Sequence, residues 1–350
     1  MGTVAAVDLA LTDEQSQLVA SFGNLFAKSS STERVRAAEP RGHDDALWRA
    51  LVDTGAVTMA VAEEHGGWGA SLLDLALVAE EVGRAIAPAP VIDAQVAARL
   101  LASLGTPAAT DVLGPFLAGE SLVALSLHAP RAGVAALVPA GAVCSAVIVL
   151  DGDRLSVVPV DDGARHPVAN LASAPLADID LGAGAGTELV KGPAAVASFE
   201  AAMDEWLTLT AATLVGIGSA ALDLGCADAV ERHAFGSPIG VFQGVAHPLA
   251  DDATNLDGAR LLARKAAWAL DGHDGRGREL AAMAFAFSSR TGEAATYDAL
   301  HVHGGYGFML EYDVQLFYRR ARGWPRAWGD AEAAYRRAAV ARYGAGGGER

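Results

Sequence analysis

Apolar residues recur at helical spacing through the first third of the chain. One stripe begins at Leu11, with Thr12 or Asp13 available as an N-cap, and a later stripe covers residues 72–91. Residues 88–90 contain two prolines, which lack the backbone donor that a helix needs, and they are expected to end the later helix. This spacing predicts an N-terminal helical domain over residues 8–120. The first stripe consists of Leu11, Leu18, Phe22, Leu25 and Phe26.

The pattern changes to short β-branched runs in the middle of the chain. The segment SAVIVLDGDRLSVVPVDD, residues 145–162, has two such runs on either side of Asp151-Gly152. This dipeptide is typical of a tight hairpin turn, so the two runs are predicted to pair. Residues 121–195 are therefore expected to form a small β domain with many turns.

Long helical patterns return after that domain. Residues 199–235 are apolar on nearly every side, as expected of a helix buried in a bundle or an oligomer. Two more helices are predicted at about residues 244–271 and 278–301, the second ending at the sequence HGGYGF. We therefore expect a mostly α-helical protein with a small β domain and a C-terminal four-helix bundle over residues 196–345.

Composition excludes several classes of protein. The 350 residues carry a formal net charge of -16, whereas nucleic-acid binding needs a concentrated basic surface. No basic residue precedes Lys28 and no uninterrupted apolar run has spanning length, so neither a targeting signal nor membrane insertion is expected. Cys144 and Cys226 are isolated, which argues against a disulfide framework or a zinc site. These features favour a cytoplasmic location.

The basic residues that do cluster lie near the end of the chain. Four arginines within eight positions could bind one anionic ligand, but such a cluster more often forms a solvated or interface face. We expect a solvated or interface face here. The cluster comprises Arg319, Arg320, Arg322 and Arg326.

Two longer motifs point to a family. ERHAFGSPIGVFQGVAHPLADD covers residues 231–252, and HVHGGYGFMLEYDV covers residues 301–314. Together they resemble the acyl-CoA dehydrogenase family, which has the same helical, β and helical order. The resemblance implies FAD-dependent α,β-desaturation of an acyl-CoA thioester. It also implies that FAD lies across a dimer interface, where two protomers build each site.

The resemblance assigns roles to residues in both motifs. Arg232 matches the arginine that reaches the pyrophosphate of a neighbour's FAD, which a planar guanidinium can bind in a bidentate manner. Phe235 and Gln243 match residues beside it. Gly304 and Gly305 match a loop that approaches the adenosine end of the cofactor, where a side chain would clash.

Two histidines stand beside that glycine loop. His301 replaces a residue that is commonly glutamine in the family, and it can still donate or accept one hydrogen bond. His301 and His303 lack a carboxylate or cysteine at ligand spacing, so no metal site is expected.

Other family features are missing. The segment that holds the flavin ring in the same chain corresponds to LSLHAPRAGVAA, residues 125–136, and little of its pattern remains. The reaction also needs a carboxylate to remove the proton α to the thioester. At the family's usual position for that base stands Trp328, whose indole nitrogen can only donate. Asp330 and Glu332 follow where the family offers neutral groups to the nucleotide.

Some family members carry the base on the long helix instead. There the match places Trp206 at the base position and Glu205 one residue before it. One residue rotates a side chain by about 100° around a helix. Glu205 is therefore expected to face solvent or an interface, and it is the best candidate only if the base has been relocated.

Three hypotheses follow. In the first, the chain is a non-catalytic subunit that completes the FAD site of a homologous catalytic partner. The assembly would be α2β2, as in the heterotetrameric acyl-CoA dehydrogenases of actinobacterial steroid side-chain degradation. In the second, it is an active homo-oligomer with Glu205 as base. In the third, it is a flavin-free structural or acyl-binding protein. The sequence favours the first.

Overall fold

The computed structural model describes residues 10–182 and 186–344. Helices come first, two small sheets follow, and long helices complete the chain, so the predicted fold class is confirmed. The predicted domain limits at residues 8 and 345 lie outside the described residues.

The N-terminal region is helical. The capping box of Thr12 with Gln15 starts its first helix, and Asp44 caps the third. The fourth helix ends at Arg84, before the prolines that were expected to end it. Ile86, two residues later, has φ of 39°, which no helix can continue. The helices are α1 (Asp13–Ser29), α2 (Thr32–Ala38), α3 (Asp45–Asp53), α4 (Leu72–Arg84), α5 (Val91–Leu104) and α6 (Pro107–Leu117).

The middle region contains two small sheets. One has the order β1-β3-β4-β7 and the other β2-β6-β5. The predicted hairpin joins β3 to β4, but its two turn residues are Gly152 and Asp153 because Asp151 pairs with Arg154. Gly152 has φ of 60°, so the glycine occupies the first central position rather than the second. The strands are β1 (Val123–Leu125), β2 (Val134–Val138), β3 (Ala146–Asp151), β4 (Arg154–Pro159), β5 (Arg165–Pro167), β6 (Ala177–Asp180) and β7 (Thr187–Lys191).

The C-terminal region is a helical bundle around one long helix. The second predicted bundle helix ends earlier than expected, and a π-helical turn, Ala269–His273, follows it. A short hairpin separates the first two helices. The elements are α7 (Pro193–Glu231), β8 (His233–Ala234), β9 (Ser237–Pro238), α8 (Gln243–Trp268), α9 (Gly277–Val302), α10 (Val314–Gly323) and α11 (Ala331–Tyr343).

Helix α7 is the core of this bundle. By length and composition alone it could cross a membrane, contrary to the expectation that no run of that kind exists. However, 78% of its most apolar window is buried inside the protein, as in the central helix of a globular bundle. Two glycines bring it against α4. A methyl group at Gly83 would overlap the carbonyl oxygen of Thr213, and one at Gly216 would overlap that of Glu80.

Helix α8 buries a carboxyl group. Asp252 is only 3% exposed and lies between Leu249 and Leu256, whose side chains reach glycines of α7. Within the described residues its Oδ2 atom has no hydrogen-bond partner. Burial, together with the adjacent Asp298 carboxylate of α9, raises the pKa of Asp252 to about 7.

Candidate functional site

Arg232 stands at the end of α7, where the chain turns into the β8–β9 hairpin. Its amide donates to the Asp228 carbonyl at 2.8 Å, and its carbonyl accepts from the Ile239 amide at 2.8 Å. The guanidinium is exposed, and Nη1 donates to the Val302 carbonyl at 3.2 Å. That bond brings Arg232 beside the end of α9 and leaves most of its five donors available to an anion.

The glycine loop meets this guanidinium. Gly304 has φ of 62°, a conformation that favours glycine, and an added methyl group would lie 3.3 Å from Nη1 of Arg232. Gly305 has open space around the equivalent position, so packing within the chain does not require a glycine there. The structure therefore joins Arg232 to Gly304, two residues that lie 72 positions apart in the sequence.

Phe235 occupies the tip of the hairpin. Its side chain is 97% exposed, and φ is 54°, a strained conformation for a bulky residue. The ring makes a T-shaped contact with Phe242, with centroids 6.0 Å apart. Gln243 is the next residue and begins α8, also at the surface. A strained, solvent-exposed aromatic ring near a guanidinium with unused donors is typical of a surface that binds a ligand or a partner protein.

His301 lies on the last turn of α9, exposed, with its ring stacked on Tyr297 at 6.3 Å. Within the described residues no hydrogen bond joins it to Arg232, whose Nη1 donates to the carbonyl of the neighbouring Val302. His303 has a structural position, since its Nδ1 lies 2.8 Å from the Ala299 carbonyl. No group of three or more metal-ligating side chains occurs in the described ranges.

The two positions that the resemblance assigns to the catalytic base, 206 and 328, carry tryptophans that pack on the same ring. Trp328 meets Phe285 in a T-shaped arrangement with centroids 5.2 Å apart, and the Trp206 and Phe285 centroids are 6.2 Å apart. Trp206 is 3% exposed, and its indole donates to Asp93 Oδ1 at 2.8 Å. The Phe285 ring is thus in contact with both tryptophans.

Asp93 is a buried carboxyl group that the sequence analysis missed. Burial raises its pKa to about 6, although the bond from Trp206 opposes that effect. It lines a cavity of about 80 Å³, with Trp206 and Arg320 among the other residues. The sequence feature that could have identified Asp93 was its position as a lone acidic residue in the apolar sequence of α5.

Glu205 does not reach that cavity. It accepts two hydrogen bonds from Arg99, at 2.9 and 3.1 Å, and lines a different cleft of about 540 Å³. Its side chain is 19% exposed, so it lies at a cleft and not on an open solvent-facing surface, and the expectation of a solvent-facing or interfacial carboxylate stays a prediction. Burial raises the pKa of Glu205, while Arg99 opposes the rise. Its paired carboxylate and the Trp206 indole point into different spaces.

The middle region is fixed directly onto the C-terminal bundle. His128, in the segment matched to the family's flavin-holding loop, has Nε2 2.9 Å from the Ala327 carbonyl, one residue before Trp328. Arg319 donates to the Leu171 carbonyl at 3.1 Å. These contacts lie across the junction of the β sheets and α10, where the small cavity also lies.

The arginine cluster is neutralised within the chain. Arg320 is only 2% exposed, and burial lowers its pKa to about 10, so the expectation of a solvated face is wrong for this residue. The ion pairs are Arg319 and Arg320 with Glu39, and Arg322 and Arg326 with Glu293.

The two acidic residues after Trp328 also have structural partners. Asp330 caps α11 by accepting from the Ala333 amide at 2.8 Å, and Glu332 pairs with Arg290. Both carboxylates therefore serve local structure at the start of α11.

Comparisons with known proteins agree with this architecture. Residues 12–120 match the N-terminal domain of acyl-CoA dehydrogenases, and residues 199–343 match their C-terminal domain. The acyl-CoA dehydrogenase IpdE2 of Mycolicibacterium smegmatis is 30% identical over 89% of this chain and 94% of its own length. Acyl-CoA dehydrogenase FadE34 of Mycobacterium tuberculosis is 32% identical over 89% of this chain and 46% of its own.

Solved structures give the same result. A Tcur3481–Tcur3483 steroid ACAD variant is 25% identical with a TM-score of 0.85, covering 94% of this chain and 98% of that one. The ChsE4–ChsE5 complex of Mycobacterium tuberculosis has a TM-score of 0.86 at 23% identity, covering 95% and 97%. Both domain matches together span more than half of the sequence, and the chain belongs to the acyl-CoA dehydrogenase family.

Proposed function

We propose that this chain is the partner-dependent subunit of an FAD-dependent acyl-CoA dehydrogenase, in which a homologous subunit performs the chemistry. The chain contributes Arg232 and the Gly304 loop to an FAD that the partner mainly holds. The assembly is an α2β2 heterotetramer that desaturates an acyl-CoA thioester.

The observation that carries this proposal is an asymmetry between the two faces of the chain. The surface around Arg232 offers free donors, a strained exposed aromatic ring and a glycine loop. Among the described residues, the cavity that Trp206 lines has a volume of about 80 Å³, and the carboxylate on its wall, Asp93, accepts a hydrogen bond from the Trp206 indole. A chain that used its own flavin would need the second region open, whereas one that serves a neighbour needs only the first.

Similar solved structures support the same interpretation. They include a ChsE4–ChsE5 complex and a Tcur3481–Tcur3483 steroid ACAD, both of which pair two differently named chains. By analogy, we propose a homologous acyl-CoA dehydrogenase subunit as the partner here and a steroid-derived acyl-CoA as the substrate class.

The residues near Arg232 fit a diphosphate. A guanidinium presents paired N–H groups at the spacing of phosphate oxygens, and the absence of a side chain at Gly304 keeps its approach open. FAD, when bound, supplies the acceptor for the hydride that leaves the β-carbon. This chain's residues orient and neutralise the diphosphate, and the partner must supply the carboxylate that removes the α-proton.

A first experiment compares the chain alone with the chain co-expressed with a co-encoded full-length homologue. We expect the lone chain to purify without flavin and the complex to carry FAD and dehydrogenase activity. Flavin absorbance and turnover are both measured. Stoichiometric FAD with dehydrogenase activity in the lone chain would refute the proposal.

A second experiment replaces Arg232 with Ala in the complex. We expect the flavin absorbance per complex to fall, because the diphosphate loses its cationic partner, while size-exclusion chromatography shows an intact assembly. The control is Arg84→Ala, which removes a surface pair with Asp223. Equal flavin content in both variants would favour the flavin-free reading of this chain instead.

A relocated base at Glu205 receives no support from the geometry. Its carboxylate is held by Arg99 and lines the larger cleft. Trp206, at the neighbouring position that matches the family's base, lines the small cavity instead. An active homo-oligomer would therefore need Glu205 to leave Arg99 and the helix to rotate.

A further inference from the structure

The cleft that contains Glu205 has the size of a small-molecule site. Its volume of about 540 Å³ lies within the range of about 300–1,000 Å³ that such sites occupy. One face of α7, the end of α5 and the segment of residues 60–65 form its walls. Most wall residues are small, which leaves room for an apolar body. The alanines among them are Ala60, Ala62, Ala102, Ala197, Ala201 and Ala202.

The floor of the cleft is an ion pair that keeps unused hydrogen-bonding capacity. Arg99 Nε and Nη2 donate to the two oxygens of Glu205, and Nη1 donates to the Ala60 carbonyl at a long 3.3 Å. Each carboxylate oxygen thus receives one of these bonds and keeps a further lone pair. The two side chains remain 24% and 19% exposed, so a ligand in the cleft can reach them.

The charge balance of the floor selects the kind of ligand. Arg99 and Glu205 cancel each other, so a charged group placed there would lose its hydration and gain no net counter-charge. At the rim, Glu64 is 80% exposed and adds a negative charge that disfavours anions. A neutral hydroxyl group can donate to Glu205 and accept from Arg99 at the same time.

We propose that this cleft binds a small, neutral, largely apolar molecule through one hydroxyl group, which donates to Glu205 and accepts from Arg99. The alanine walls contact the apolar body of the ligand. This inference does not depend on where FAD binds or on which subunit performs the oxidation, because every group it uses lies in the cleft.

The test uses 2-naphthol as a probe, since its hydroxyl group is neutral at pH 7 and its ring system is apolar. We expect saturable one-to-one binding to the full-length chain by isothermal titration calorimetry. Naphthalene, which lacks the hydroxyl group, and 2-naphthoate, which is charged, should each bind at least about tenfold more weakly. That ratio corresponds to about 1.4 kcal/mol.

Two variants locate the probe. Ala201→Leu places a larger side chain in the cleft without touching the ion pair, and it should weaken binding at least about tenfold. Ala194→Leu is the matched control, because Ala194 is exposed on the same helix and does not line the cleft. Circular dichroism checks that both variants fold.

The outcomes decide the proposal in either direction. It is supported if 2-naphthol binds, the two analogues bind more weakly and only Ala201→Leu weakens binding. It is overturned if 2-naphthol does not bind, if naphthalene binds equally well, or if both leucine variants bind like the unchanged chain.

Discussion

Replacing Asp252 with Asn should stabilise the protein at alkaline pH and leave its stability nearly unchanged near pH 4. The pKa of Asp252 is about 7 in the folded chain and 3.8 as a free side chain. Between these values the folded protein keeps a proton that the unfolded chain has lost, so stability falls as pH rises through this range. Above about pH 7 the carboxylate is buried and ionised, and the full penalty applies. Asparagine is neutral throughout and can donate to Asp298.

The magnitude follows from the same two pKa values. Each pKa unit corresponds to about 1.4 kcal/mol, so the difference between 3.8 and about 7 corresponds to at most about 4 kcal/mol. Asp298 is half-buried, and water around it screens part of the repulsion. We therefore expect Asp252→Asn to raise the free energy of unfolding at pH 8 by about 2 kcal/mol.

The assay is urea unfolding of the full-length chain at pH 5, 6, 7 and 8, followed by circular dichroism. The quantity of interest is the stability of Asp252→Asn minus that of the unchanged protein, which should grow with pH and level off above about 7. Asp111→Asn is the control, since Asp111 is an exposed carboxylate on α6. A constant difference from pH 5 to pH 8 would refute the reasoning.

Three other substitutions test the packing and the site. Gly216→Ala should destabilise the chain by at least about 1–3 kcal/mol in urea unfolding, because the new methyl group overlaps the Glu80 carbonyl where α4 crosses α7. Gly304→Ala should cost about 1–3 kcal/mol in the same assay, since its φ is 62°, and should also lower the flavin content of the co-expressed complex. Trp328→Glu should not give the lone chain dehydrogenase activity in a dye-reduction assay, because the Phe285 ring packs against that position and Trp206 stays on the same ring.

Features with a local cause could be predicted from the sequence. The capping of α1 by Thr12 depends on residues three positions apart, and the β3–β4 hairpin depends on a glycine between two β-branched runs. The turn lies one residue later than expected because the register is fixed by cross-strand packing, with Asp151 opposite Arg154. Local chemistry thus predicts that an element exists more reliably than it predicts where that element ends.

Features that depend on distant partners could not be predicted. Glu205 is held by Arg99, which lies 106 positions earlier in the sequence. The position of Glu205 on α7 predicts which side of the helix it occupies, but it does not identify the residue that the side chain contacts. Arg320 appears in a basic cluster, yet the fold buries it beside Glu39. The site around Arg232 was predictable in composition because its residues come from two recognisable motifs, but its geometry requires the end of α9 to meet the end of α7.

The contact of Trp206 and Trp328 with the same Phe285 ring has a consequence for evolutionary history. A glutamate at position 206, where the tryptophan is only 3% exposed, would bury a carboxylate against the two remaining aromatic rings, which costs several kcal/mol. Trp328 is half-buried, so the same change there would cost less. Under the proposed function, this packing opposes the return of a base at position 206, and selection acts on the chain mainly through the surfaces it offers to other molecules.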